Sequence, residues 1–209
     1  MEVYKEGRNL MVLHTTFSTE IWEEYDHQCI VNNESLAKII IDRSLTESSR
    51  ELSNIGGWQS GDDLAEDAQF TDLISFVRQK LLKVTLHNNY ITNGFECVIV
   101  NMWANINKFR DFNKAHLHPN SDWSFAYYVK TTEDSGGIVF CDPRVRRLMN
   151  VQDEILIDHS NNSQHSIYTI KPLSGKLVIF PSYLEHYVEP NLTQETRISI
   201  SGNIRYEKI

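Results

Sequence analysis

The chain has 209 residues, 41% hydrophobic and 23% charged, with a formal net charge of −8. That length can bury a sizeable core, and the acidic balance argues against nonspecific nucleic-acid binding, which needs basic surface to neutralise phosphates. Three widely spaced cysteines, Cys29, Cys97 and Cys141, fit neither a disulfide framework nor zinc-ligand spacing, and no apolar run matches a signal peptide or a membrane span. The expectation is therefore a cytoplasmic protein with free thiols and no membrane partner.

The first third reads as helical. Asn32 or Asn33 can cap a helix carrying Leu36, Ile39, Ile40 and Ile41. The glycines and polar residues of Ser53 to Ser60 then break the pattern. A longer helix is predicted from about Leu64, with Phe70, Leu73, Ile74, Val77, Leu81 and Val84 on one apolar face. Residues Asn88 to Gly94 form a turn-rich break. Short β-rich runs follow: Phe95–Trp103, Trp123–Lys130, Gly137–Phe140, Ser166–Ile170, Leu177–Phe180 and Arg197–Ile204. Turn-separated strands of this kind predict a sandwich or jelly roll. The expected architecture is one domain, 1–209, mainly β: helical support over about 1–90 and a double-stranded β-helix over about 95–205. The polar stretch from Cys141 to Lys171, which includes Arg144, Arg146 and Arg147, has the length of a lid, a binding loop or a solvated excursion.

Eight histidines are candidates for chemistry. His14, His27 and His87 read as structural or surface residues, and His159 and His165 lie in the polar loop. His116, His118 and His186 differ. Residues i and i+2 of an extended segment share a face, so His116 and His118 can aim at one point, and a second strand can bring His186 to it. Three neutral nitrogens suit zinc, iron, copper or nickel. With no cysteine near either half of the trio, an open coordination position favours catalysis over a structural role. Arg197 and Ser199 alternate onto one strand face, where a guanidinium and a hydroxyl can grip a carboxylate. Tyr127 and Tyr128 face opposite sides of their strand, so one phenol points to the core.

The ordered set His116-x-His118, Tyr127-Tyr128-Val129, Gly136-Gly137-Ile138-Val139-Phe140, Gly175 to Pro181, His186 and Arg197-Ile198-Ser199 resembles the Fe(II)- and 2-oxoglutarate-dependent oxygenases. The likeness is to the bacterial and phage group of 2OG-Fe(II) oxygenases and, more widely, to the prolyl-hydroxylase branch. Ser53-Asn54 to Gln59-Ser60 and Asp142-Pro143-Arg144 add to it, and it spans about Ser53 to Asn203. The resemblance implies a double-stranded β-helix, with Fe(II), 2-oxoglutarate and O2 as cofactor and cosubstrates. It implies His116 and His186 as metal ligands and Arg197, Ser199 and Tyr128 as partners of the far carboxylate of 2-oxoglutarate, with Asn105 near the pocket. The family motif is His-x-Asp/Glu…His. Here His118 stands at the carboxylate position, so the triad is all-histidine or recruits a carboxylate such as Asp122.

The implied reaction is hydroxylation of a peptide, protein or small molecule, with release of succinate and CO2. Two other readings stay open from the residues: a non-enzymatic, cupin-like metal- or ligand-binding domain, and a three-histidine dioxygenase that does not use 2-oxoglutarate.

Overall fold

A computed structural model describes residues 3–6, 9–12, 16–88, 94–144 and 167–209. The chain opens on short strands: β1 (Val3–Glu6) and β2 (Asn9–Val12), which form an antiparallel hairpin, then β3 (Trp22–Tyr25) and, beyond the first helix, β4 (Asn54–Ile55). The first helix, α1 (Asn33–Thr46), starts where the Asn32 side chain accepts from the Ser35 N–H at 3.0 Å. That bond satisfies one of the helix's orphan donors. Helix α1 buries Leu36 and Ile40, while Ile41 of the predicted apolar set is exposed.

After β5 (Trp58–Gln59), the helix predicted from Leu64 begins instead as two 3-10 turns, Leu64–Glu66 and Ala68–Phe70. Asp67 adopts extended backbone between them and caps the second turn by accepting from Gln69 N–H, which breaks helical continuity. The α-helix proper, α2, spans Thr71–His87 and buries Leu73, Phe76, Val77, Leu81 and Val84. The helical reading of the first third thus needs correction. Strands β1 to β5 lie within it. The last two are only two residues long and exist because they pair with longer strands elsewhere, which local periodicity does not register.

The remaining strands among the described residues are β6 (Phe95–Asn107), β7 (Phe112–His116), β8 (Trp123–Lys130), β9 (Ile138–Cys141), β10 (Ile167–Ile170), β11 (Lys176–Pro181), β12 (His186–Val188) and β13 (Arg197–Lys208). They form a six-stranded sheet in the order β3-β11-β8-β13-β6-β5 and a five-stranded sheet in the order β10-β9-β12-β7-β4. This is the double-stranded β-helix expected from the sequence, with helices in support. Much of the Cys141–Lys171 stretch, including Arg146, Arg147, His159 and His165, lies outside the described residues, as do His14 and most of the Asn88–Gly94 break.

Strand alternation sorts the core into two parts. Tyr127, Val129, Ile179 and Ile200 pack with Ile40, Phe76 and Val77 of the two helices. Tyr128, Phe140, Ile170, Val178 and Phe180 fill the space between the sheets. The adjacent tyrosines therefore divide as the pleat requires: the Tyr127 hydroxyl donates to Asn33 Oδ1 at 2.9 Å on the helix side, and Tyr128 is buried on the inter-sheet side.

The sheets leave little room at Gly202. A Cβ built there would sit 2.6 Å from Phe125 Cε1 and 2.9 Å from the Asn101 carbonyl. Phe125 is paired with Gly202 across the sheet and is itself buried, so the ring has nowhere to retreat. Gly202→Ala is expected to cost about 1–3 kcal/mol by overpacking, read as a lower urea midpoint with an unchanged denaturant slope.

Candidate functional site

Strands β7 and β12 are antiparallel neighbours, and their register sets His116, the last residue of β7, directly opposite His186, the first of β12. His118 follows two residues after β7, where its backbone N–H donates to the Ser182 carbonyl at 2.9 Å. The three side chains converge: one nitrogen from each lies within 4.8 Å of the others. The ring centroids are 4.4 Å apart for His116 and His186, 5.0 Å for His116 and His118, and 5.1 Å for His118 and His186.

Hydrogen bonds orient two of the rings. His116 Nδ1 lies 2.7 Å from the Lys114 carbonyl and His186 Nδ1 lies 2.9 Å from the Leu184 carbonyl. A carbonyl can only accept, so both Nδ1 atoms carry the proton and each Nε2 keeps a lone pair. This is the tautomer lock that supports imidazole ligation of a metal. His118 rests instead on the Trp103 ring, with centroids 5.7 Å apart. Burial holds all three rings below the ordinary histidine range. His118 is lowered to about 4 and His186 to about 3, in both cases by burial first and then by the neighbouring imidazoles. At neutral pH the cluster is uncharged and its lone pairs are available.

The pocket runs from these rings between the sheets to Arg197, the first residue of β13. Arg197 is 1% exposed. Its Nη1 is fully engaged: it donates to the carbonyls of Ser135, Gly136 (2.9 Å) and Glu189 (3.1 Å). Its Nη2 is buried with no hydrogen-bond partner, and no carboxylate pairs with the guanidinium among the described residues. Gly136 makes the carbonyl cage possible. It sits at φ +84°, and a Cβ there would lie 2.3 Å from the Glu189 carbonyl and 2.8 Å from Arg197 Nη1.

Tyr128 and Ser199, cross-strand partners on β8 and β13, line the same pocket, as does Asn105 on β6, paired with Ser199. Burial pushes the Tyr128 phenol up to about 12, partly offset by Arg197, so it keeps its proton at neutral pH. Asn105 Oδ1 is buried and unpartnered. Ile138, Phe180 and Val188 supply apolar walls.

The structure thus brings His116, His118, His186, Arg197, Ser199, Tyr128 and Asn105 to one pocket. It does not bring Asp122 there. Asp122 Oδ2 accepts from the Tyr206 N–H at 2.8 Å, and its side chain faces a separate hollow lined by Phe95, Tyr183 and Tyr206. The carboxylate alternative for the triad therefore falls: among the described residues, the candidate metal group contains three histidines and no acid. Sequence reasoning missed Ser53, Asn107 and Asn113 in the pocket wall. The only signal for them was the neighbourhood of Ser53-Asn54 and of Trp103.

Residues 101–203 match the protein-family model described as "Putative 2OG-Fe(II) oxygenase". No curated protein matches the sequence. Among solved structures, the chain is similar to a Pseudomonas putida prolyl-4-hydroxylase at 16% identity and a TM-score of 0.58, covering 90% of this chain and 93% of that one. It is also similar to HygX from Streptomyces hygroscopicus, solved with nickel and 2-oxoglutarate, at 11% identity and a TM-score of 0.57, covering 90% and 83%. A third is the alpha-ketoglutarate-dependent epimerase SnoN of nogalamycin biosynthesis, at 11% identity and a TM-score of 0.59, covering 90% and 76%. At these identities the structural likeness speaks to the fold, and the sequence match speaks to the half that carries the pocket. The chain is thus similar in sequence to the 2OG-Fe(II) oxygenases over residues 101–203, and it shares its fold with solved 2-oxoglutarate-dependent oxygenases.

Proposed function

We propose that this protein is a hydroxylase that uses Fe(II), 2-oxoglutarate and O2 to oxidise a peptide, protein or small molecule, releasing succinate and CO2. The observation that carries the proposal is the polarity of the pocket: three neutral imidazoles at one end, and a buried guanidinium with a spare donor at the other. A buried cation without a carboxylate is costly unless something pairs with it. A dicarboxylate whose other end chelates a metal would meet both needs.

The residues fit the groups. His116, His118 and His186 would hold the metal, with Lys114 and Leu184 carbonyls fixing two of the rings. Arg197 would donate Nη2 to the far carboxylate of 2-oxoglutarate, with the protonated Tyr128 phenol and the Ser199 hydroxyl beside it. Asn105 offers a further buried amide for orientation. Ile138, Phe180 and Val188 exclude water from the space between, which strengthens each polar contact. Metal and 2-oxoglutarate together supply the activation of O2 and the oxidising equivalents for C–H hydroxylation. Among the described residues no side chain is required as a general base.

The test is succinate release from protein loaded anaerobically with Fe(II), then given 2-oxoglutarate and air. Slow, metal-dependent release is expected even without the primary substrate, and absence of both succinate and O2 uptake would sink the proposal. O2 uptake that ignores 2-oxoglutarate would favour the three-histidine dioxygenase. For the primary substrate, peptidyl proline is the first to screen, because a prolyl-4-hydroxylase shares the fold. SnoN, an epimerase, shows that the fold alone does not fix the outcome. Nucleic acid remains disfavoured by the net charge of −8, and Arg144 is held by Asp142 at 2.8 Å.

A further inference from the structure

We propose that Ser182, Ser124 and Asn203 form a positioning device that holds two of the three histidines in place. The inference rests on reading the imidazole cluster as a metal centre. The turn after β11 is closed by the Leu184 N–H donating to the Pro181 carbonyl at 3.0 Å. Two of its carbonyls reach the cluster: that of Ser182 accepts the His118 backbone N–H, and that of Leu184 accepts the His186 Nδ1 proton, each at 2.9 Å. One short turn therefore sets the backbone of one candidate ligand and the tautomer of another.

The turn is fastened from beneath. The Ser182 side chain is 0% exposed, and its Oγ lies 2.7 Å from Ser124 Oγ, which in turn lies 2.7 Å from Asn203 Oδ1. The amide oxygen can only accept, so the single Ser124 proton goes to Asn203 and Ser182 donates to Ser124. The chain of bonds has one direction and no unsatisfied hydroxyl. Ser124 and Asn203 are register partners on the adjacent strands β8 and β13. They share the inter-sheet face with Tyr128 and Arg197, four and six residues away on their respective strands. The row runs across the large sheet at the histidine end of the pocket, whereas Arg197 and Tyr128 occupy the other end.

An apolar row would fill this space without desolvating three polar groups. Satisfied buried networks instead fix one arrangement against alternatives. None of the three side chains belongs to the metal-ligand group or lines the pocket between the sheets, so their role is positioning and not catalysis.

Co(II) is the probe, because its visible bands report ligand geometry independently of turnover. Ser182→Ala and Ser124→Ala are expected to bind Co(II) about 10- to 100-fold more weakly than the parent, the usual consequence of losing outer-shell support, and with altered band intensities. Thr85→Val is the control. It deletes another buried hydroxyl, bonded at 2.8 Å to the Tyr206 hydroxyl on the helix side of the sheet, and is expected to bind Co(II) as the parent does. Should one serine variant not fold, the other reads the same bond. Parent-like affinity and bands in the folded serine variants, or an equal loss in Thr85→Val, would overturn the positioning role while leaving the metal centre standing. A parent that binds no Co(II), or a His186→Ala protein that binds it equally well, would overturn the metal reading itself and this inference with it.

Discussion

Arg197→Met is expected to weaken 2-oxoglutarate binding at least about 30-fold, and to abolish succinate release at cosubstrate concentrations that saturate the parent. The magnitude follows from the burial. Truncating one partner of a desolvated, hydrogen-bonded charge pair costs about 2–5 kcal/mol, and Arg197 is 1% exposed. Burial itself lowers its pKa, opposed by Tyr128, Asp111 and Glu189, so the guanidinium sits in an environment that gains from an incoming anion. Arg197→Lys should not rescue. Nη1 alone already serves three carbonyls while Nη2 faces none. A single ammonium cannot be in both places. Calorimetric titration of 2-oxoglutarate into Mn(II)-loaded protein, parent against both variants, measures the loss directly. Equal affinities would remove Arg197 from the cosubstrate site. A drop in Mn(II) affinity with 2-oxoglutarate affinity unchanged would assign the residue to the metal end instead.

Parts of this site are legible in the amino-acid sequence alone, and the physical reason is strand alternation. A pleated strand fixes side-chain direction at every second residue. His116-x-His118 and Arg197-x-Ser199 therefore announce shared faces, and adjacent Tyr127 and Tyr128 announce a split. The long strands β6, β8, β11 and β13 carry dense β-branched and aromatic runs and read correctly as strands, although β6 and β13 extend further than their apolar cores, to Asn107 and Lys208. Strand β7, Phe-Asn-Lys-Ala-His, has no such run, and β12 is three residues long. Both are strands because each finds a partner in the five-stranded sheet. Residue type and spacing therefore single out the histidines without identifying the strands that carry them.

What stays illegible depends on contacts between distant residues. The carbonyl cage of Arg197 uses backbone oxygens of Ser135, Gly136 and Glu189, and backbone atoms leave no signature in residue type. Ser124 and Asn203 are 79 residues apart, and serines are too common to flag. Asp122 illustrates the converse. It is four residues from His118 in sequence, yet the turn into β8 carries it to the Tyr206 N–H and away from the rings. Proximity along the chain misleads where the backbone reverses direction.

The all-histidine cluster makes a second strong prediction: metal and 2-oxoglutarate should bind interdependently. Three neutral imidazoles leave the two positive charges of the metal uncompensated by the protein. The ligand then supplies the counter-charge that a carboxylate would otherwise provide. By linkage, the cosubstrate must raise metal affinity by the same factor that metal raises cosubstrate affinity. His118→Asp should relax this dependence. A carboxylate about 4 Å from a unit charge is worth about 4 kcal/mol at an effective dielectric of 20. Even after its desolvation cost, the variant is expected to bind Fe(II) or Mn(II) at least about tenfold more tightly than the parent without 2-oxoglutarate, with a smaller gain when it is added. His186→Ala moves the other way. It removes a candidate ligand that is 3% exposed and locked by the Leu184 carbonyl. Its loss should exceed the roughly 10- to 100-fold penalty of disturbing an outer hydrogen bond, and succinate release should vanish with it. Metal titrations of the parent, His118→Asp, His118→Ala and His186→Ala proteins, each with and without 2-oxoglutarate, decide the matter. If His118→Asp binds metal no better than the parent and His118→Ala binds it equally well, the middle histidine is a bystander beside Trp103. The centre would then consist of His116 and His186 alone.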